Sequence, residues 1–166
     1  PGLTVRRVGL APRKTQPLRV VVDPRRRSPA TSALFRDGHA TLVFGGDDAT
    51  DGDVTVKRVD GAGAGAVAGM VEVLAARGVR RLMVEGGPAT ARHFLKAKLV
   101  DRAVVVRAPA IFADEPVPSG IDAATLRDAG LAFAGRRDVG GDDTHVWTRG
   151  GESDAAVWDV LLFSGD

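Results

Sequence analysis

The stretch Arg81-Leu82-Met83-Val84-Glu85-Gly86-Gly87-Pro88 decides how this chain reads. Its apolar run suits a buried strand, its two glycines permit a sharp turn, and its proline is already shaped for a first helical turn. The segment therefore predicts a strand over Arg81–Glu85 and a helix over Pro88–Lys98. At such a junction the first N–H groups of the helix have no intrahelical partner, and its positive end faces outward, which suits a bound phosphate. Glu85 sets a carboxylate beside that turn.

Upstream, Leu18–Asp23 reads Leu-Arg-Val-Val-Val-Asp between Pro17 and Pro24, a β-branched run stopped sharply by proline. Ala40–Phe44 and Val54–Val59 are two more strand candidates on either side of the turn-forming run Gly45–Gly52. The alternating Gly61–Gly65 leads into a helix over Ala66–Arg77, with Val67, Met70, Val71 and Leu74 at spacings of three and four and Gly78 as its C′ residue. Downstream, Asp101–Ala110 is a further strand, and Leu131–Asp138 with Asp143–Thr148 form a terminal antiparallel pair. Strands alternating with helices predict an α/β sheet covered on both faces, made mixed by the two late strands.

Composition removes several classes of function. The 23 basic residues against 21 acidic ones leave a net charge of +2, too small a field to recruit a polyanion, so no nucleic-acid partner is expected. Cysteine is absent, which excludes disulfides, thiolate metal sites and cysteine nucleophiles. The three histidines, His39, His93 and His145, are too far apart for local zinc spacing, and no metal site is expected. No apolar run reaches the roughly 20 residues that span a bilayer, so no membrane partner is expected and the localisation read is cytoplasmic.

Four ordered segments carry a resemblance: Leu3-Thr4-Val5-Arg6; Gln16-Pro17-Leu18-Arg19-Val20-Val21-Val22-Asp23; Leu82-Met83-Val84-Glu85-Gly86-Gly87-Pro88; and Leu99-Val100-Asp101 followed by Ala108-Pro109. Together they make residues 1–149 resemble the reductase domain of riboflavin-biosynthesis deaminase/reductases, of bacterial or plant type, with 150–166 left as a tail. The resemblance implies a dihydrofolate-reductase-like α/β fold, a mixed sheet flanked by helices, that lacks its first strand region here. It also implies NADPH-dependent reduction of 5-amino-6-(5-phosphoribosylamino)uracil, with hydride reaching the ribose C1′ and opening the sugar to a ribityl chain.

Carried onto this sequence, the resemblance assigns substrate contacts to Leu3, Arg6 and Glu85. It assigns cofactor contacts to Pro24, Gly86, Gly87, Pro88, Ala89, Thr90, Ala91, Arg92 and His93, and no acid–base residue. Arginine suits a phosphate because its planar fork donates two bonds at once. Glycine suits a pyrophosphate because a missing Cβ lets the backbone approach closely. The implied partners are a phosphorylated ribosylaminouracil, a second copy in a homodimer, and a deaminase or deaminase-like domain in the parent chain; a plant or algal source would imply a plastid. The rival reading is a nucleotide-binding or structural relic that has kept the fold and lost catalysis.

Departures from the family pattern accompany the match: the family's domain begins before the Leu-Thr-Val-Arg segment, Ala113 stands where glycine is usual, and Gly120–Gly130 is an unfamiliar connection. Arg25-Arg26-Arg27 reads as a solvated loop after a strand, in preference to a polyanion patch or a clamp on a 2′-phosphate. His93, with no carboxylate at helical spacing, reads as a cofactor-side or surface residue. The pairs Asp47-Asp48 and Asp142-Asp143 read as solvated aspartates in turns.

Overall fold

The structure, a computed structural model, describes residues 16–109 and 118–151. The chain divides into two compact units, Pro1–Gly61 and Ala62–Asp166. The expectations for Leu3, Arg6 and most of the tail fall outside the described residues.

In the first unit, β1 (Arg19–Val22), β2 (Thr41–Phe44), β3 (Ala49–Asp51) and β4 (Val54–Lys57) form one sheet in the order β1-β2-β4-β3. β2 runs parallel to both neighbours, and all four of its residues are buried, as a central parallel strand requires. Leu42, Val43, Phe44 and Val56 form its core, each apolar side chain contributing roughly 1.5–3 kcal/mol. The sequence reading treats Gly45–Gly52 as turn throughout, whereas β3 lies inside it and pairs antiparallel with β4. The signal was the Asp51-Gly52-Asp53 run, whose Gly52 adopts φ +54 at the hairpin loop. A short helix, α1 (Ala33–Arg36), precedes β2.

Buried Arg19 joins β1 to the segment after α1. Its guanidinium pairs with Asp37 at 2.5 Å and donates to the carbonyls of Leu34 and His39 and to the Thr41 hydroxyl. A buried charge is tolerated only when paired and bonded in this way. The Arg19 bond is also the first reason why the Asp37 carboxyl is lowered to about 2.

The second unit holds α2 (Gly63–Ala76), α3 (Pro88–Lys96), α4 (Ala123–Asp128) and an antiparallel sheet of β5 (Arg102–Arg107), β6 (Ala132–Val139) and β7 (Asp142–Thr148) in the order β5-β7-β6. α2 buries Val67, Met70 and Leu74, as its spacing predicts, and Gly78 stops it at φ +79. The terminal antiparallel pair is present, closed by Gly140 and Gly141 at positive φ. Leu95, Leu126, Ala129, Leu131 and Trp147 form a core cluster against which Ala103 and Val105 pack. α4 lies within the unfamiliar Gly120–Gly130 connection and is marked by Asp122, whose carboxylate accepts from the Thr125 N–H at 2.8 Å as a helix N-cap.

The predicted strand Arg81–Glu85 does not form. Residues 81–87 have no regular secondary structure, and Met83 is 80% exposed. An apolar run becomes a strand only when a neighbour satisfies its backbone donors and acceptors, and no ladder among the described residues includes this one. The strands of the described residues lie in two sheets.

Candidate functional site

The turn ahead of α3 keeps the predicted proline-led helix start but not the strand before it. Gly87 is the N-cap at φ −62, ψ 173, with no side-chain cap, and Pro88 occupies the first turn. The Ala91 N–H donates to the Gly87 carbonyl at 3.2 Å and starts the helical ladder. A cap without a side chain leaves the earlier N–H groups available to an anion.

The two glycines differ. A Cβ on Gly86 would lie 2.9 Å from Thr90 Cβ and 3.2 Å from its hydroxyl oxygen, so the helix itself excludes a side chain there. A Cβ on Gly87 would meet nothing within 4 Å, so no contact within the described residues demands glycine there. The role of Thr90 in fixing Gly86 was not legible from spacing alone.

Around this turn, Glu85 and Ala89 are exposed, and Pro88, Thr90 and Ala91 are half-buried. The Arg92 guanidinium donates to the Ser119 carbonyl at 2.7 Å and so tethers the segment before α4 to α3. The His93 ring lies beside the start of α2, where a Cβ on Gly63 would be 3.6 Å from it. It is exposed.

In the first unit, exposed Pro24 opens the turn after β1, which is organised by buried Asp23. The Asp23 carboxylate accepts from the N–H of Arg27 at 3.0 Å and of Ser28 at 2.8 Å, and its carbonyl accepts from the Arg26 N–H at 3.0 Å. Burial pushes this carboxyl up, but the N–H bonds from Ser28 and Arg27, the Ser28 hydroxyl and the Arg27 charge outweigh burial and hold it below the usual value. Arg25, Arg26 and Arg27 are exposed, as a solvated loop should be.

Gly45 locks this turn to the end of β2. At φ +153, a Cβ there would stand 2.0 Å from the Asp23 carbonyl oxygen. The sequence reading missed this joint. Its only trace was a Gly-Gly pair directly after a buried strand.

Each aspartate pair contains an ion-paired member, and Asp142 and Asp143 lie in β7 and not in a turn as the sequence reading has it. Asp48 binds Lys57 at 2.5 Å and accepts from the Arg58 N–H, while Asp143 binds Arg136 at 2.5 Å and His145 at 3.1 Å. Among the described residues, no group of three or more His, Cys, Asp or Glu side chains could hold a metal ion.

Parallel strands with organised turns at their carboxyl ends, an antiparallel sheet, and a helix opened by an uncapped Gly-Gly-Pro turn define a mixed α/β protein of dihydrofolate-reductase-like kind. Solved structures share the fold: RibD of Acinetobacter baumannii matches with a TM-score of 0.64 at 18% identity, covering 89% of this chain and 42% of that one. A deaminase/5-amino-6-(5-phosphoribosylamino)uracil reductase of Thermotoga maritima matches with a TM-score of 0.64 at 16% identity, covering 89% and 41%.

The chain belongs to the family described as the RibD C-terminal domain, which matches residues 1–153. Two curated relatives are both named 2,5-diamino-6-ribosylamino-4(3H)-pyrimidinone 5′-phosphate reductase. The Archaeoglobus fulgidus protein is 33% identical over 134 residues, covering 74% of this chain and 61% of that protein. The Methanothermobacter thermautotrophicus protein is 35% identical over 134 residues, covering 77% and 59%. The chain thus spans about three fifths of the length of these relatives.

Proposed function

We propose that this chain carries part of an NADPH-dependent reductase of riboflavin biosynthesis that converts a 5′-phosphorylated ribosylaminopyrimidine to its ribitylamino form. The observation that carries the reading is the uncapped start of α3 at Gly86-Gly87-Pro88, beside an exposed carboxylate, in a member of a family whose curated relatives are named as such reductases. The donor set fits a dinucleotide phosphate: backbone N–H groups at Ala89 and Thr90, a clear space over Gly87, and no acidic residue within the first helical turn.

NADPH, if held there, would supply the hydride for C1′, with the bond from C1′ to the ring oxygen breaking and that oxygen taking a proton from water. Glu85 orients the substrate, and Gly86–His93 hold the dinucleotide. Leu3 and Arg6 hold the phosphorylated sugar, and Pro24 touches cofactor, both on the strength of the family resemblance. Catalysis of this kind rests on alignment of the two reactants. A homodimer and an upstream deaminase domain belong to the same proposal; the Thermotoga maritima protein is named for both activities, whereas both curated relatives are named as reductases alone.

The pyrimidine itself has two readings. The uracil is the substrate that the family resemblance implies, and the 2,5-diaminopyrimidinone is favoured by the names of both relatives above 30% identity. The test is NADPH oxidation by the full-length protein with each pyrimidine, with and without its 5′-phosphate, and with NADH in parallel. Turnover with one phosphorylated pyrimidine and loss of it in Glu85→Ala is the expected result. Tight NADPH binding without turnover of either pyrimidine would leave the relic reading in its place.

A further inference from the structure

In the second unit, between the β5-β7-β6 sheet and α4, lies a cavity of about 330 Å³ that the reductase reading does not use. Its size is that of a small-molecule pocket. Phe133, His145 and Trp147 line it, with Arg107 at the end of β5, Arg127 on α4, and Asp122.

The aromatic side is built with defined geometry. The Phe133 ring meets Trp147 edge-on at 5.4 Å and His145 at 5.8 Å, yet Phe133 remains 52% exposed. An aromatic ring oriented by two neighbours and left half open offers a surface to another ring.

The charge is equally specific. Among the described residues, neither Arg107 nor Arg127 has a carboxylate partner. Asp143, which stands opposite Arg107 across the β5–β7 ladder, is taken by Arg136 and His145. The Arg127 guanidinium lies 5.6 Å over the Trp147 ring, held in place without being neutralised. Asp122 caps α4 by accepting from the neutral N–H and hydroxyl of Thr125, so it keeps its charge, and the lining carries the guanidiniums of Arg107 and Arg127 against the single carboxylate of Asp122.

Two unneutralised guanidiniums beside an aromatic wall disfavour a cation and are wasted on a purely apolar ligand. A ring bearing a carboxylate or phosphate satisfies both halves, because the ring stacks while the anion takes the forked donors of arginine. We propose that this pocket binds a planar aromatic anion, at a site made entirely within the second unit and independent of the reductase reading.

The test is calorimetric titration of the full chain with 2-naphthoate and 2-naphthyl phosphate, with 2-naphthol as the neutral ring. Saturable binding of at least one anion is expected, with 2-naphthol about tenfold weaker. Arg107→Glu should weaken the anion by about tenfold or more and Phe133→Ala by several-fold, both with unchanged circular dichroism because both side chains are exposed. If Arg107→Glu lost the fold, Arg107→Gln would be read in its place. Absence of saturable binding by both anions, equal binding of 2-naphthol, or unchanged affinity in both variants would each overturn the proposal.

Discussion

Replacing Gly45 by alanine should be among the most damaging single-methyl changes in the first unit. The Cβ would sit 2.0 Å from the Asp23 carbonyl oxygen and 2.5 Å from its carbon, both backbone atoms that cannot swing away as a side chain would. Gly45 also holds φ +153, a conformation essentially reserved for glycine and costing roughly 1–3 kcal/mol elsewhere. Relief of the clash requires the ends of β1 and β2 to part. That movement strains the bond from the Asp23 N–H to the Phe44 carbonyl at 2.9 Å and from the Gly45 N–H to the Lys57 carbonyl at 3.1 Å, each worth about 1 kcal/mol. The sum is roughly 3–5 kcal/mol, a large share of the stability of an ordinary domain. Gly52→Ala is the control, since Gly52 has φ +54 but nothing within 4 Å of its missing Cβ, so only the conformational cost of about 1 kcal/mol remains. Urea unfolding of the two variants measures the difference. Equal midpoints for Gly45→Ala and Gly52→Ala would refute the claim that contact with Asp23 is what demands glycine.

Arg149→Ala should destabilise the second unit by about 1–3 kcal/mol in the same assay, because its guanidinium serves the carbonyls of Lys98, Val100 and Ala129 at 2.8–3.0 Å, where α3 and α4 end. Asp37 is held at about 2, against an ordinary value of 3.8, first by its bond from Arg19, so its contribution is complete above pH 4 and disappears as pH falls from there towards 2. An Asp37→Asn variant should lose stability at neutral pH and show a shallower pH dependence in that window; an unchanged acid profile would remove Asp37 from the account. Gly86→Ala should press its new Cβ against Thr90, shift the first turn of α3 away from residue 86, and raise the KM for NADPH more than it lowers kcat, read by steady-state kinetics of the full-length protein.

Local chemistry made much of this legible. The β-branched run before Pro24, the three-and-four spacing in α2, Gly78 as its stop and the proline-led start of α3 each carry their structure in a few adjacent residues, because caps, periodicity and fixed φ angles are properties of short segments. The Gly-Gly-Pro turn could likewise be read as a site with free donors. Arg81–Glu85 shows the opposite case: its composition is that of a strand, but a ladder needs a partner, and composition does not supply one.

What the sequence determined by itself, then, was the family, through four segments in order along the chain, and the helix starts and stops with their caps, which are set by residues within a few positions of one another. Only the tertiary structure decided that Gly45 presses on Asp23, that Thr90 is the reason for Gly86, and that Arg107 and Arg127 share a cavity with Phe133 and Trp147. The contact of Gly45 with Asp23 and the cavity shared by Arg107 and Trp147 join residues far apart in the chain, which folding and not local propensity brings together, while the contact of Gly86 with Thr90 depends on the path by which the chain enters α3.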